Sequence, residues 1–178
     1  MGCVSTSTVK KSEMLHNKIA ADMDKIVVDG VGIRHCQYEY VKEFFEHVDE
    51  QKEGRVDVSA LIHILHDLTS KDYNQEDVAR SMHLVDDDGD QKLNFSEFRQ
   101  FIYCFLNAEP TDLPNVLFFA ADKNESCTID AKELISISQK LNIELSQEQI
   151  TTITKEMGDE FDGSISYKGF QRIVAKFM

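Results

Sequence analysis

Residues 86–97 read Asp-Asp-Asp-Gly-Asp-Gln-Lys-Leu-Asn-Phe-Ser-Glu. Acidic side chains at alternate positions of a tight loop can point towards one centre, and a glutamate closes this loop at the twelfth position. A hard cation such as Ca²⁺ binds about six to eight oxygen atoms. The predicted ligands are the side chains of Asp86, Asp88 and Asp90, the carbonyl of Lys92, Asn94 through a water, and both carboxylate oxygens of Glu97.

The same twelve-residue pattern occurs at four places in the chain. We number the loops 1 to 4 as Asp49–Ala60, Asp86–Glu97, Asp122–Glu133 and Gly158–Gly169. Their spacing of about 36 residues is typical of a repeated supersecondary unit. Apolar residues at helical spacing follow each loop, and after loop 2 they are Phe98, Phe101, Ile102 and Phe105.

The eighth position of every loop is β-branched or leucine. These residues are Val56, Leu93, Ile129 and Ile165. Side chains of this kind favour a short antiparallel bridge between paired loops. The pattern therefore predicts four helix–loop–helix units whose loops lie side by side in pairs.

These loops and their flanking helices resemble EF-hands of the calmodulin superfamily, and the resemblance covers about residues 38–178. The chain is similar in particular to acylated neuronal calcium sensors and calcineurin B-like proteins. The resemblance implies an all-α fold in which units 1 with 2 and 3 with 4 form two lobes. We expect an amino-terminal segment at residues 1–36, a first lobe at 37–108, a linker at 109–114 and a second lobe at 115–178.

Loop 3 supplies an oxygen at each position of the pattern. Its predicted ligands are Asp122, Asn124, Ser126, the carbonyl of Thr128, Asp130 and Glu133. Loop 1 has Ala60 where the closing glutamate belongs, and loop 4 has Gly158 and Gly169 at its first and twelfth positions. We therefore predict two Ca²⁺ ions, in loops 2 and 3, with Mg²⁺ possible in the resting state, while loops 1 and 4 complete the lobes.

The sixth loop position departs from the usual pattern in both loops that are predicted to bind. Glycine is expected there because the backbone turns with positive φ. Loops 2 and 3 instead carry Gln91 and Cys127, whereas loops 1 and 4 keep Gly54 and Gly163. A strain of about 1 kcal/mol would lower calcium affinity. Cys127 is either a redox-sensitive thiol or simply a small residue.

Composition excludes several classes of protein. A net charge of −13 and a pI of about 4.8 argue against nucleic-acid binding, which needs a basic surface. No apolar run approaches the roughly 20 residues of a membrane span, so we expect a cytoplasmic protein. Without a redox or metal spacing, its four cysteines (Cys3, Cys36, Cys104 and Cys127) are expected to be free thiols.

The amino terminus carries signals for lipid attachment. Gly2 and Thr6 match the N-myristoylation pattern once Met1 is removed, and Cys3 is placed for palmitoylation. We expect attachment to a membrane surface, because an acyl chain needs a second signal for stable anchoring. Residues 14–27 have apolar residues at helical spacing and predict a short amphipathic helix, followed by a loop at 28–36.

Three functions are compatible with this sequence. The first is a membrane-tethered calcium sensor that binds a target protein when it is loaded with calcium. The second is a constitutive regulatory subunit of a partner enzyme or channel, of the calcineurin B kind, and the third is a calcium buffer. We expect no enzyme activity, because phosphate-binding loops, nucleophile motifs and catalytic acid pairs are absent from the sequence.

Overall fold

The computed structural model describes residues 24–28, 31–35, 37–69, 72–109, 111–158 and 163–177. Within these ranges the chain is mostly helical, which confirms the all-α class. The helices are α1 (Tyr38–Val48), α2 (Val58–Thr69), α3 (Gln75–Val85), α4 (Phe95–Asn107), α5 (Leu113–Ala121), α6 (Ala131–Lys140), α7 (Gln147–Met157) and α8 (Tyr167–Phe177). The strands are β1 (Asp24–Val28), β2 (Val31–His35), β3 (Thr128–Ile129) and β4 (Ile165–Ser166).

The segment before α1 differs from the prediction. β1 and β2 form a two-stranded sheet, so the end of the helix predicted at 14–27 and most of the loop predicted at 28–36 are wrong. β1 ends in three consecutive β-branched residues, which favour a strand over a helix. The Asp29-Gly30 pair between the strands is typical in sequence of a tight hairpin turn. The earlier part of the predicted helix lies outside the described residues.

The structure divides into two compact units. The first contains Arg34–Ile102, and the second contains Ile26–Ile33 and Tyr103–Met178. The division falls inside α4, so the last turns of this helix belong to the second unit. The lobe limits predicted from the sequence, 37–108 and 115–178, stay a prediction.

In the first unit, loops 1 and 2 are joined by a backbone bridge between their eighth residues. The Val56 N–H donates to the Leu93 carbonyl at 2.9 Å, and the Leu93 N–H donates to the Val56 carbonyl at 2.7 Å. Around this bridge, Phe44 and Phe45 of α1 pack against Phe98 of α4, with ring centroids 5.7 and 5.3 Å away. The predicted bridge between the first pair of loops is confirmed.

In the second unit, loops 3 and 4 pair in the same way. Ile129 lies opposite Ile165 in an antiparallel β3–β4 ladder, and both side chains are fully buried. Phe118 of α5 stacks edge-on against Tyr167 and Phe170 of α8. Each unit is thus an aromatic helical core closed at one end by a pair of loops.

The helices between loops 2 and 3 are interrupted, as the prolines of the sequence indicate. α4 ends at Asn107, and α5 begins at Leu113 with Pro114 in its first turn, where a missing N–H costs no helical hydrogen bond. Elsewhere, Ser146 and Gln149 form a capping box at the start of α7, as a Ser-x-x-Gln spacing favours. None of the described helices combines the length and apolar character of a membrane span.

Candidate calcium sites

The first aspartate of loop 2 organises the loop backbone. Asp86 is only 6% exposed. Its Oδ1 accepts a hydrogen bond from the N–H of Gly89 at 2.8 Å, and its Oδ2 accepts one from the N–H of Gln91 at 2.9 Å. These two bonds fold the loop backbone around one carboxylate.

The closing glutamate of loop 2 joins the two ends of the loop. Glu97 Oε1 accepts from the N–H of Asp87, and Oε2 accepts from the N–H of Asn94, both at 2.9 Å. The Asn94 side chain in turn accepts from the N–H groups of Ser96 and Glu97 at the start of α4. Glu97 therefore lies at the mouth of the loop with both oxygens in place.

Three of the four predicted acidic ligands of loop 2 lie close together, and Asp90 is not part of this group. Oxygens of Asp86, Asp88 and Glu97 lie within 4.8 Å of one another, and among the described residues they form the one such group of three. A cluster of hard carboxylate oxygens suits Ca²⁺ or Mg²⁺ and not a soft metal. The residues present fit a calcium ion in loop 2.

Asp88 and Asp90 also contact a positively charged side chain of the neighbouring loop 1. Arg55 Nη1 lies 2.9 Å from Asp88 Oδ2 and also contacts Asp90 Oδ2. The hydrogen bond from Arg55 holds the pKa of Asp88 below its ordinary value, and the same bond raises the pKa of Arg55. In return, Lys92 of loop 2 reaches Glu53 of loop 1, with Nζ 2.8 Å from Oε2.

Loop 3 is built around a fully buried carboxylate, Asp122. Its Oδ1 accepts from the N–H of Ser126 at 2.8 Å, and its Oδ2 accepts from the N–H of Cys127 at 3.0 Å. The hydroxyl of Tyr103, near the end of α4 and in the same unit, donates to that Oδ2 at 2.9 Å. Burial raises the pKa of Asp122 above its ordinary value despite these hydrogen bonds.

The closing glutamate of loop 3 repeats the arrangement seen in loop 2. Glu133 Oε1 accepts from the N–H of Lys123 at 3.1 Å, and Oε2 accepts from the N–H of Asp130 at 3.0 Å. Asp130 completes a capping box by accepting from the N–H of Glu133 at 2.8 Å. Burial raises the pKa of Glu133, so a bound cation would relieve the cost of its charge.

The remaining predicted ligands of loop 3 are engaged with the loop itself. Asn124 Oδ1 accepts from the N–H of Ser126 at 2.9 Å. The Ser126 hydroxyl donates to the Thr128 carbonyl at 3.1 Å. Asp130 faces the start of α6, so the carboxylates of this loop do not converge as closely as those of loop 2. The ligand sets of both loops stay predictions.

The sixth loop position has the strained backbone that the sequence predicts. Gln91 has φ of 65° and Cys127 has φ of 64°, close to the 73° of Gly54 and the 71° of Gly163. Non-glycine residues pay about 1 kcal/mol for this region. The side chains of Cys104 and Cys127 are buried thiols, and burial raises the pKa of the Cys127 thiol. A raised pKa disfavours the reactive thiolate.

Loop 1 lacks the geometry of a metal site at its closing end. Asp49 still accepts from the N–H groups of Glu53 and Gly54, at 2.9 and 2.7 Å. At the twelfth position, Ala60 offers only its N–H, which donates to the Asp57 carboxylate at 2.9 Å. No carboxylate of this loop takes the place that Glu97 has in loop 2.

Both glycines at the ligand positions of loop 4 lie close to backbone oxygens. A Cβ atom added to Gly158 would lie 2.2 Å from the Thr154 carbonyl oxygen and 2.6 Å from that of Gly163. A Cβ atom at Gly169 would lie 2.7 Å from the Met157 carbonyl oxygen. Because all three oxygens belong to the backbone, neither glycine has room for a ligand side chain. The two predicted lipid-attachment residues, Gly2 and Cys3, lie outside the described residues.

The loop geometry agrees with the similarity to known proteins. Calcium-dependent protein kinase 8 of Arabidopsis thaliana is 30% identical over 133 residues, which are 73% of this chain and 24% of that protein. The probable calcium-binding protein CML27 of Arabidopsis thaliana is 23% identical, over 76% of this chain and 78% of that protein. This chain is an EF-hand protein of the calmodulin superfamily. No family model matches it.

This chain spans about a quarter of the length of the kinase that it matches. The kinase activity is therefore a property of that relative and is not assigned to this chain. Among solved structures, a homolog of programmed cell death 6 protein from Leishmania major Friedlin covers 75% of this chain and is covered over 73% of its own length. With 14% identity and a TM-score of 0.32, this likeness supports no assignment. Calcium binding as a general property follows from the relatives, whereas the resemblance to acylated neuronal sensors stays a prediction.

Sequence pattern alone did not identify two residues that contact the candidate calcium sites. Arg55 of loop 1 contacts two predicted ligands of loop 2, and Tyr103 of α4 contacts the first predicted ligand of loop 3. The position of Arg55 just before the bridge residue Val56 was a usable signal, because bridged loops place flanking side chains side by side. No comparable signal pointed to Tyr103.

Proposed function

We propose that this chain is a calcium sensor that binds two Ca²⁺ ions through loops 2 and 3 and a target protein in its loaded form. The observation that carries this proposal is the matched position of Glu97 and Glu133. In each loop the closing glutamate accepts hydrogen bonds from the second and the ninth backbone N–H. Such a carboxylate is aligned for both of its oxygens to bind one ion.

The two glutamates can transmit binding to the helices. Glu97 lies in the first turn of α4 and Glu133 in that of α6. A bound ion supplies a divalent charge at the centre of the loop. Glu97 and Glu133 would hold such an ion from the first turns of the outgoing helices, so its charge would act directly on those helices. In sensor EF-hands, calcium binding opens the helix pair and exposes an apolar groove. Phe44, Phe98 and Phe118, which are fully buried here, would then border new apolar surface.

The same features separate the sensor from the alternatives. A buffer needs tight sites and opens little, whereas the strained sixth positions of both loops reduce affinity. We infer no enzymatic role, because the calcium-binding relative CML27 has nearly the same length as this chain. A constitutive subunit would expose an apolar docking surface without calcium. The target is proposed to be a protein and not a nucleic acid, in keeping with the net charge of −13.

A calorimetric calcium titration of the unacylated protein, with about 1 mM magnesium present, tests this proposal. We expect two sites with dissociation constants of about 10⁻⁷–10⁻⁵ M, and an increase in the fluorescence of an apolar dye as they fill. The control is the protein with both Glu97→Gln and Glu133→Gln. Dissociation constants of about 10⁻⁹–10⁻⁸ M without a dye response would indicate a buffer, and dye binding without calcium would indicate a constitutive subunit.

We further propose that the sensor is cytoplasmic and peripheral on a membrane, with a myristoyl group on Gly2 and a palmitoyl group on Cys3. The support is the sequence alone, in which Lys10 and Lys11 follow the two acceptor residues. In eukaryotic cells we expect the wild type to pellet with membranes, Cys3→Ser to pellet in part, and Gly2→Ala to remain soluble. Equal membrane fractions for all three proteins would contradict the proposal.

A further inference from the structure

Arg55 stands at the seventh position of loop 1, but its side chain leaves its own loop. Its guanidinium donates to Asp88 Oδ2 at 2.9 Å and contacts Asp90 Oδ2, at the third and fifth positions of loop 2. The Val56–Leu93 bridge brings the two loops side by side. Because Arg55 immediately precedes Val56, its side chain lies next to loop 2. The cation therefore lies directly on two predicted calcium ligands of the neighbouring loop.

All four carboxylate oxygens of Asp88 and Asp90 make a contact with Arg55 or with a backbone N–H. Asp88 Oδ1 accepts from the N–H of Asp90 at 3.2 Å, and Asp90 Oδ1 accepts from the N–H of Lys92 at 2.9 Å. The other oxygen of each carboxylate contacts Arg55. Each carboxylate oxygen keeps a second lone pair, so calcium need not break these bonds, but the guanidinium draws on the same negative charge that would bind the ion.

The reciprocal contact shows why Arg55 matters and its counterpart does not. Lys92, at the seventh position of loop 2, pairs with Glu53 of loop 1. Loop 1 already lacks a closing glutamate, because Ala60 stands at its twelfth position. The Lys92 pair thus withholds no ligand from a working loop, whereas the Arg55 pair engages two ligands of loop 2.

We propose that Arg55 is a built-in counter-ion that competes with calcium for Asp88 and Asp90 and so sets the affinity of loop 2. This inference rests on the proposed role of loop 2 as a calcium site. Without calcium, the guanidinium offsets the repulsion among the acidic side chains and keeps the loop folded. With calcium, it must leave or stay as a positive charge a few ångströms from a divalent ion, and either alternative weakens binding.

Loop 3 provides an internal contrast. The seventh position of its partner, loop 4, is Ser164, which carries no charge to offer. Substitution of Arg55 should therefore change the affinity of loop 2 and leave that of loop 3 as it is.

The test is a calcium titration of the full chain carrying Glu133→Gln, so that loop 2 alone reports. In this background we expect Arg55→Gln to raise calcium affinity about tenfold, and by less in 0.5 M salt because salt screens exposed charges. The matched control is Arg80→Gln, which removes an equal charge from exposed ion pairs with Glu76 and Asp77 on α3 and should change affinity less than about twofold. Arg55→Lys, which keeps the charge, should give an intermediate value.

A second measurement follows the calcium-free protein. In chelator, Arg55→Gln should unfold at a lower temperature than Arg80→Gln, and this order should reverse with saturating calcium. An affinity equal to that of Arg80→Gln, or a lower one, would overturn the role of Arg55 while leaving loop 2 as a calcium site. If neither Glu133→Gln nor the double variant Glu133→Gln with Arg55→Gln binds calcium, loop 2 is not a calcium site, and this inference is wrong as well.

Discussion

Glu97→Gln is expected to weaken calcium binding at loop 2 about a hundredfold or more while loop 3 remains titratable. The substitution removes one negative charge and one of two oxygens that would bind the ion together. It also puts an amide NH₂ where Glu97 now accepts from the N–H of Asp87 or Asn94. A calorimetric titration should therefore change from two binding events to one.

Two further variants make the measurement specific. Glu46→Gln removes the same charge from an exposed position on α1 and should keep both sites. Glu133→Gln should remove the other site, so that the two single variants divide the wild-type isotherm between them. Two undiminished transitions in Glu97→Gln would show that loop 2 is not one of the calcium sites.

Gly158→Asp is expected to destabilise the second unit by about 3 kcal/mol or more without creating a third calcium site. On sequence grounds this change restores an acid to the first position of loop 4. In the structure, a Cβ atom there would lie 2.2 Å from the Thr154 carbonyl oxygen. Backbone atoms at this distance cannot yield without moving α7 or the loop.

Amide hydrogen exchange in α7 and α8, measured in chelator, would report this loss for the second unit by itself. The matched control is Gly163→Asn, because a Cβ atom at Gly163 meets no atom within 4 Å and asparagine tolerates its positive φ. We expect that control to lose about 1 kcal/mol or less. A Gly158→Asp protein that keeps its exchange protection and binds a third ion would contradict the structural role of loop 4.

Much of the fold follows from short-range pattern. Phe98, Phe101 and Ile102 recur at helical spacing and are buried in α4, and the cap of α7 lies where Ser146 and Gln149 predict it. The same reasoning failed before α1, where residues of a predicted helix form β1 instead. An apolar spacing can suit either element over a short segment, and a run of β-branched residues decided for the strand.

The sequence by itself predicted the number and spacing of the loops, the candidate ligands in loops 2 and 3, and the missing ligand side chains in loops 1 and 4. These properties depend on residues that are neighbours in the chain. Tertiary structure alone decided that Arg55 lies on Asp88 and Asp90, that Tyr103 donates to Asp122, and that Gly158 has no room for a side chain. The Arg55 and Tyr103 contacts join segments that meet only when loops pair and helices pack. The crowding at Gly158 depends on the backbone path at the end of α7 and in loop 4, which residue types alone do not specify.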